Sequence, residues 1–324
     1  VVRERELIEA IEREIGAIGG RVLRGPGDDA AVVAAEAVAV TSVDVVVEGV
    51  HFELETHSHA DVGHKALAAA LSDLAAMGAA PGEAYVGLAL PRATELEDAF
   101  AIVRAMAALA ERTRTQLAGG DVVGGPALTV AVTVTGWAGD ASQLAYRDGA
   151  SAGDLIGVSG TLGGSAAGLT LLNGFDAGLD ADGRDELIRR HRRPEPLLAL
   201  GSTLAAAGCT AMIDLSDGLA TDARHLSERS DVAIEIELGE LPLARGVLEV
   251  ADAAGRDPLE LAASGGEDFE LLFAAPPERR GVVERAAEAA AGRVTWIGRA
   301  AAGAGLTLRR PDGGAAELAG YEHS

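Results

Sequence analysis

The sequence predicts a two-domain protein of mixed α/β (α+β) class, and three observations lead there. Helix-period and strand-period segments alternate along 324 residues, a length that suits one large or two ordinary domains. Hydrophobic residues make up 48% of the chain but aromatic ones only 3%, so the core must be packed from Ala, Val, Leu and Ile, which suits helices laid on sheets. A polar, glycine-bearing stretch over 139–153 has no apolar period and separates an N-terminal domain (1–138) from a C-terminal one (150–324).

Taken in order, Leu7, Ile8, Ile11 and Ile15 share one helical face, and Gly16 with Gly19-Gly20 ends that helix. Residues 31–34 and 38–47 are β-branched runs flanking a short polar break, which predicts a strand pair. An Ala-rich helix follows over 61–77 and stops at Gly78. A strand is expected over 85–90, and Thr94-Glu95-Leu96-Glu97 reads as a capping box opening a helix that runs to about Arg114. Alternation over 127–137 predicts a long strand. Beyond the boundary come a strand at 154–159, a small-residue helix at 163–172 and a basic helix at 184–193 closed by Pro194 and Pro196. Strands at 211–213, 232–238 and 269–273, with helices at 219–228 and 278–291, complete an α/β second half.

Twenty-seven basic against fifty acidic residues give a formal charge of −23, the wrong sign for gripping nucleic acid or an anionic membrane surface. No stretch approaches the roughly 18 apolar residues of a membrane span, and the start is too charged for a signal peptide. Cys209 is the single cysteine, so an intrachain disulfide and a multi-thiolate zinc site are excluded, and the chain reads as cytoplasmic. Lys65 is the single lysine. It stands in Val62-Gly63-His64-Lys65-Ala66, not in a P-loop, and the protein-kinase motifs are absent.

Acidic residues next to Gly or Ser recur at expected element ends: Gly27-Asp28-Asp29, Ser42-Val43-Asp44, Ser72-Asp73, Gly119-Gly120-Asp121, Asp214-Leu215-Ser216-Asp217-Gly218 and Ser264-Gly265-Gly266-Glu267-Asp268. Any one of them fits a turn or a helix cap. Asp73 fits neither, because Ala69, Ala70 and Met77 place it on an apolar stripe, and an unpaired buried carboxylate costs on the order of several kcal/mol. With one lysine available, the compensating charge is an arginine or a metal ion. Carboxylates without cysteines select Mg²⁺, or Mn²⁺ as a substitute, and Mg²⁺ completes its shell with water and substrate phosphates. A polyphosphate substrate is therefore expected. The echo of Leu71-Ser72-Asp73-Leu74 in Leu215-Ser216-Asp217-Gly218 points to one site between the two halves.

These motifs, with Gly49-Val50-His51-Phe52, the run from Lys65 to Ala79 and the continuation Phe269-Glu270-Leu271, resemble the thiamine-monophosphate kinase family in their order from Gly27 to Tyr321. The resemblance implies ATP-dependent phosphorylation of thiamine monophosphate to thiamine diphosphate, the last step in making that cofactor. It implies direct in-line transfer, with no covalent nucleophile or general base. Asp29, Asp44, Asp73, Asp121 and Asp214 would hold several Mg²⁺ ions, assisted by Ser42, with Asp217 on a further ion. Where the family commonly has Thr, this chain has Val43, so any contact there comes from the backbone carbonyl. Gly120, Asp121, Arg147 and Ser216 match ATP contacts, Gly120 because a missing Cβ lets backbone approach a phosphate. His51, Glu267 and Tyr321 match contacts to thiamine phosphate. The family also implies a homodimer in which N-terminal strands of both subunits build a barrel. Strands within 30–50, 84–91 and 127–137, rich in Val and Ala with few charges, are the edges that would pair.

Plainer readings stand beside these roles. His51 can be a core histidine, Glu267 a strand cap, Tyr321 a docked tail and Arg147 half of a surface pair with Asp148. The run Arg189-Arg190-His191-Arg192-Arg193 is either a phosphate grip or a solvated helix face. Among relatives, the lone internal Cys209 argues against a selenophosphate synthetase or a hydrogenase maturation protein. Aminoimidazole ribonucleotide synthetase is the enzyme alternative, and a catalytically silent binder of nucleotide and metal is the alternative of another class.

Overall fold

The computed structural model describes residues 20–25 and 30–321; the helix expected around Leu7–Ile15 and the candidate ligand Asp29 lie outside them. The chain divides into two compact units, Val1–Leu74 with Ala79–Ala141, and Ala75–Gly78 with Ser142–Ser324.

In the first unit, β1 (Val22–Arg24) and β2 (Val32–Val33) form a two-stranded sheet. The segments expected to pair with each other therefore do not. β2 takes β1, and β3 (Val38–Val47) pairs antiparallel with β6 (Thr129–Ala138) from Val38↔Ala138 to Val47↔Thr129. A ten-residue strand satisfies its whole ladder only with an equally long partner, and β6 is that partner. Between them in sequence come α1 (His59–Met77), β4 (Ala80–Leu90), α2 (Leu96–Thr113) and β5 (Gln116–Gly124), and the four-stranded sheet runs β3-β6-β4-β5. β4 and β5 are parallel, with α2 as the crossover between them.

Alternation decides the faces. Val130, Val132 and Val134 are fully buried, whereas Val43 and Val45 on β3 are 62% and 44% exposed. α1 and α2 meet at backbone distance, since a Cβ on Gly63 would lie 2.2 Å from the Ile102 carbonyl oxygen. α1 ends where expected, at Gly78 in the left-handed region (φ 70°). The capping box does not form: Glu95, not Thr94, is the N-cap of α2 and makes no side-chain cap bond. β5 was not expected either, because Gly119 and Gly120 have no strand preference of their own and are held there by pairing with β4.

The second unit holds a seven-stranded sheet in the order β13-β12-β9-β11-β7-β10-β8. Its strands are β7 (Leu155–Ser159), β8 (Ala211–Asp214), β9 (Ala233–Glu237), β10 (Leu271–Ala275), β11 (Val294–Ala301), β12 (Gly305–Arg309) and β13 (Ala315–Ala316). Only β9 and β12 are parallel, so alternating helices and strands have produced a largely antiparallel sheet. Ile156, Val158, Ile213, Leu272 and Ile297 pack with Leu219, Ala223 and Leu226 of α6 (Leu219–Ser230) in the main core. A second cluster joins α3 (Gly164–Leu172), α4 (Ala181–Arg192), α7 (Val247–Ala253) and α8 (Pro258–Ser264) through Ala167, Leu171, Leu187, Val250 and Leu261. α5 (Leu198–Ala207), which the sequence reading left unassigned, lies against α9 (Arg280–Ala289). The strand expected from Phe269 begins at Leu271, because Glu267 (φ 66°) and Phe269 (φ 50°) are left-handed and break the extended run.

Candidate active site

In the first unit, Ser42 and Asp73 are brought together across thirty-one residues: the Ser42 hydroxyl donates to Asp73 Oδ2. Asp73 is half-buried between fully buried Ser72 and Leu74, as its apolar stripe requires. Asp44 lies two residues beyond Ser42 on the same face of β3. Asp121 is placed elsewhere. Register runs Val45–Ala131–Gly87–Asp121 across the sheet, while Asp44 aligns with Val132, Val86 and Gly120. Asp121 therefore occupies the far edge strand and the opposite face from Asp44, exposed, with its Oδ1 accepting from Val122 N at 2.9 Å. Val43 shares that open face.

Gly120 has a structural reason to be glycine, since a Cβ there would lie 2.1 Å from the Val86 carbonyl oxygen. Close approach of β4 accounts for it without a ligand. His51 sits in the turn after β3, its Nδ1 accepting from Val47 N at 3.1 Å, which leaves the proton on Nε2. Lys65, the single lysine, is 1% exposed and donates from Nζ to the His51 carbonyl at 3.2 Å, so it braces this turn from inside the unit.

In the second unit, three loops converge through backbone hydrogen bonds. Asp214 ends β8 and is buried. Glu267 N donates to Ser216 O at 2.7 Å and Phe269 N to Leu215 O at 2.9 Å, joining the Ser-Gly-Gly-Glu-Asp-Phe-Glu segment to the Asp-Leu-Ser-Asp-Gly turn. Tyr321 N donates to Asp217 O at 2.9 Å, and a Cβ on Gly320 would lie 2.0 Å from that same oxygen. The tail is thus docked beside Asp217, with Tyr321 half exposed. Asp214, Ser216, Asp217, Glu267 and Tyr321, up to 107 residues apart in sequence, form one cluster. Arg147 is exposed in a turn held by Ser230, whose Oγ donates to Arg147 O at 2.8 Å, while Met212 N of β8 donates to the preceding Tyr146 O.

Sequence reasoning missed Asp222. It is 2% exposed in the first turn of α6, and its Oδ2 accepts from Asp217 N at 3.2 Å and Gly218 N at 3.0 Å. Burial, then the charges of Asp214 and Asp217, push its carboxyl up to about 8 against those two donors. The available signal was the acid placed just after Asp217-Gly218 at a helix start. A poorly hydrated spot crowded with carboxylates is the donor set that a hard divalent cation fits. Among the described residues no three such side chains close into a ready cage. Cys209 offers no nucleophile, because burial pushes its thiol up to about 12. Among the described residues no helix is long and apolar enough to cross a membrane.

Comparison with known proteins follows the two units. Residues 27–138 match the AIR synthase related protein N-terminal domain, and residues 151–310 match the corresponding C-terminal domain. The thiamine-monophosphate kinase of Mycobacterium tuberculosis is 41% identical over 254 residues, spanning 78% of this chain and 74% of that protein. The crystal structure of thiamine-monophosphate kinase from Stenotrophomonas maltophilia superposes with a TM-score of 0.83 at 36% identity, covering 96% of both chains. A structure of AaThiL complexed with AMPPCP and TMP superposes with a TM-score of 0.78 at 31% identity, covering 100% of this chain and 99% of the other. With both domains matched and close identity maintained over most of each sequence, the chain belongs to the thiamine-monophosphate kinase family.

Proposed function

We propose that this protein transfers the γ-phosphoryl group of ATP directly to the phosphate of thiamine monophosphate, giving thiamine diphosphate. The observation that supports this best is the backbone-stitched convergence of Asp214, Ser216, Asp217, Glu267 and Tyr321. It sets hard oxygen donors beside a half-exposed aromatic ring, a combination suited to a phosphorylated aromatic substrate. Asp44 and Asp73 with Ser42 in one unit, and Asp214 and Asp217 in the other, would hold Mg²⁺, with Asp29, the Val43 carbonyl and, from the opposite face of the first sheet, Asp121 as further donors. Bound Mg²⁺ supplies neutralisation of the polyphosphate charge. Gly120, Arg147 and Ser216 are assigned to ATP; His51, Glu267 and Tyr321 to thiamine phosphate. His51 carries its proton on Nε2, since Nδ1 accepts from Val47 N.

Direct transfer needs no base, because the acceptor phosphate is ionised at neutral pH, and positioning with charge neutralisation supplies most of the rate. A coupled assay with ATP, Mg²⁺ and thiamine monophosphate is expected to show stoichiometric ADP and thiamine diphosphate. Incubation with γ-labelled ATP alone is expected to leave the protein unlabelled; a stably labelled chain would overturn direct transfer.

The assembly we infer is a homodimer joined through the first unit. Val43, Val45 and Val123, on one face of its sheet, are 62%, 44% and 52% exposed, and β3 and β5 are its edge strands among the described residues. Pairing those edges across a two-fold axis into a barrel covers edges and face together. Sedimentation at micromolar concentration is expected to give a species of twice the 32.8 kDa chain mass. A persistent monomer would exclude the barrel.

A further inference from the structure

The basic run Arg189–Arg193 is neither a single phosphate grip nor a single solvated face. Arg189 is the solvated part, bonding Glu186 at 2.9 Å through Nε and Nη2. Arg190 and His191 turn inward. Arg190 Nη1 donates to Thr161 O at 3.2 Å, and His191 is 4% exposed, its Nδ1 lying 3.0 Å from Ser165 Oγ and 3.4 Å from Glu267 Oε2.

Small residues make this approach possible. A Cβ on Gly168 would lie 2.1 Å from the Leu187 carbonyl oxygen, and one on Gly164 would lie 2.6 Å from Arg190 Cδ. α3 and α4 therefore pack closer than side chains permit, which carries the last turn of α4 over the start of α3. Asp268 ties that same helix start to the loop, accepting from Gly163 N at 2.6 Å and Ser165 N at 2.9 Å. With Asp268 anchored and Glu267 and Phe269 in the left-handed region, the Glu267 side chain is directed to His191. A carboxylate only accepts, so the contact with Glu267 is attractive when the proton is on Nδ1, where the Ser165 hydroxyl can accept from it as well.

We propose that His191 is a positioning residue for Glu267, fixing through Nδ1–H the direction in which that carboxylate is offered to the thiamine moiety. This rests on the reading that Glu267 meets thiamine phosphate.

Steady-state kinetics of the full chain with Mg²⁺, varying each substrate in turn, tests it with two polar replacements. In His191→Asn the amide N–H stands near the Nδ1 position, whereas in His191→Gln it stands near Nε2. His191→Gln is expected to raise KM for thiamine monophosphate about tenfold with KM for ATP unchanged, and His191→Asn to stay within about threefold of wild type. Equal effects of the two variants, or equal effects on both substrates, overturn the proposal. Glu267→Gln separates the two levels of the argument. If it raises KM for thiamine monophosphate and His191→Gln does not, positioning by His191 is wrong. If it leaves that KM unchanged, the substrate reading of Glu267 is wrong and this inference falls with it. Should His191→Gln fail to fold, Gly168→Ala, which pushes α4 away from the loop, is expected to show the same selective rise, and no rise overturns the proposal.

Discussion

Asp73→Asn and Asp121→Asn are each expected to lower kcat by at least about a hundredfold while leaving the metal-free protein no less stable. The amide keeps the size of the side chain and removes its charge. At Asp73 the Asn carbonyl still accepts from the Ser42 hydroxyl, so the link between β3 and α1 survives. At Asp121 the residue is exposed on an edge strand, where substitutions usually change stability by less than about 0.5 kcal/mol. What is lost is a formal negative charge toward a divalent ion, and weaker Mg²⁺ dependence of activity is the accompanying sign. In a chain of net charge −23, removing one carboxylate from a metal-free acidic site can stabilise it by up to about 1–2 kcal/mol. Melting curves in EDTA decide the matter: if both variants melt well below wild type, the carboxylates are structural and the metal reading fails. Because Asp121 lies on the opposite face from Asp44, loss in Asp73→Asn alone would restrict the metal set to the Ser42 edge.

Asp268 makes folding stability depend on pH. Burial pushes its carboxyl up to about 7, and the Ser165 and Gly163 backbone donors offset only part of that. In the unfolded chain it titrates near 3.9. The folded state thus holds this proton more tightly, so its contribution is fully present below about pH 4. It is lost as pH rises toward 7, by a few kcal/mol at most. Asp268→Asn cannot follow this change, and its NH₂ group also faces a backbone donor, at a cost of about 1–3 kcal/mol. Urea unfolding is therefore expected to show the variant clearly less stable than wild type at pH 5 and closer to it at pH 8. A gap that widens with pH would mean that the carboxylate is the form the helix start of α3 requires.

Much of the secondary structure was legible because its signals are local. A ten-residue run rich in β-branched side chains makes β3, and small apolar residues before Gly78 make α1. Where local signals were weak the reading failed. α5, α7 and α8 are short or uniformly small, and β5 contains two glycines. Thr94 offered a cap that Glu95 took. The Asp-rich turns were legible as a group, since no ordinary turn requirement explains so many acids in an acidic chain, whereas Asp222 looked like an ordinary helix residue and His191 like one more member of a basic run.

By itself, then, the sequence determined the chemistry available: hard oxygen donors, one cysteine, one lysine, and two α/β domains to carry them. Only the tertiary structure decided how these are used. It committed Lys65 to the His51 carbonyl, set Asp121 on the face opposite Asp44, and joined Ser216, Asp217, Glu267 and Tyr321 by main-chain bonds. The physical reason is one of range. Propensity and capping act within a few residues, while strand partner, register and burial depend on segments a hundred residues away, and a one-residue step in register moves a side chain to the other face.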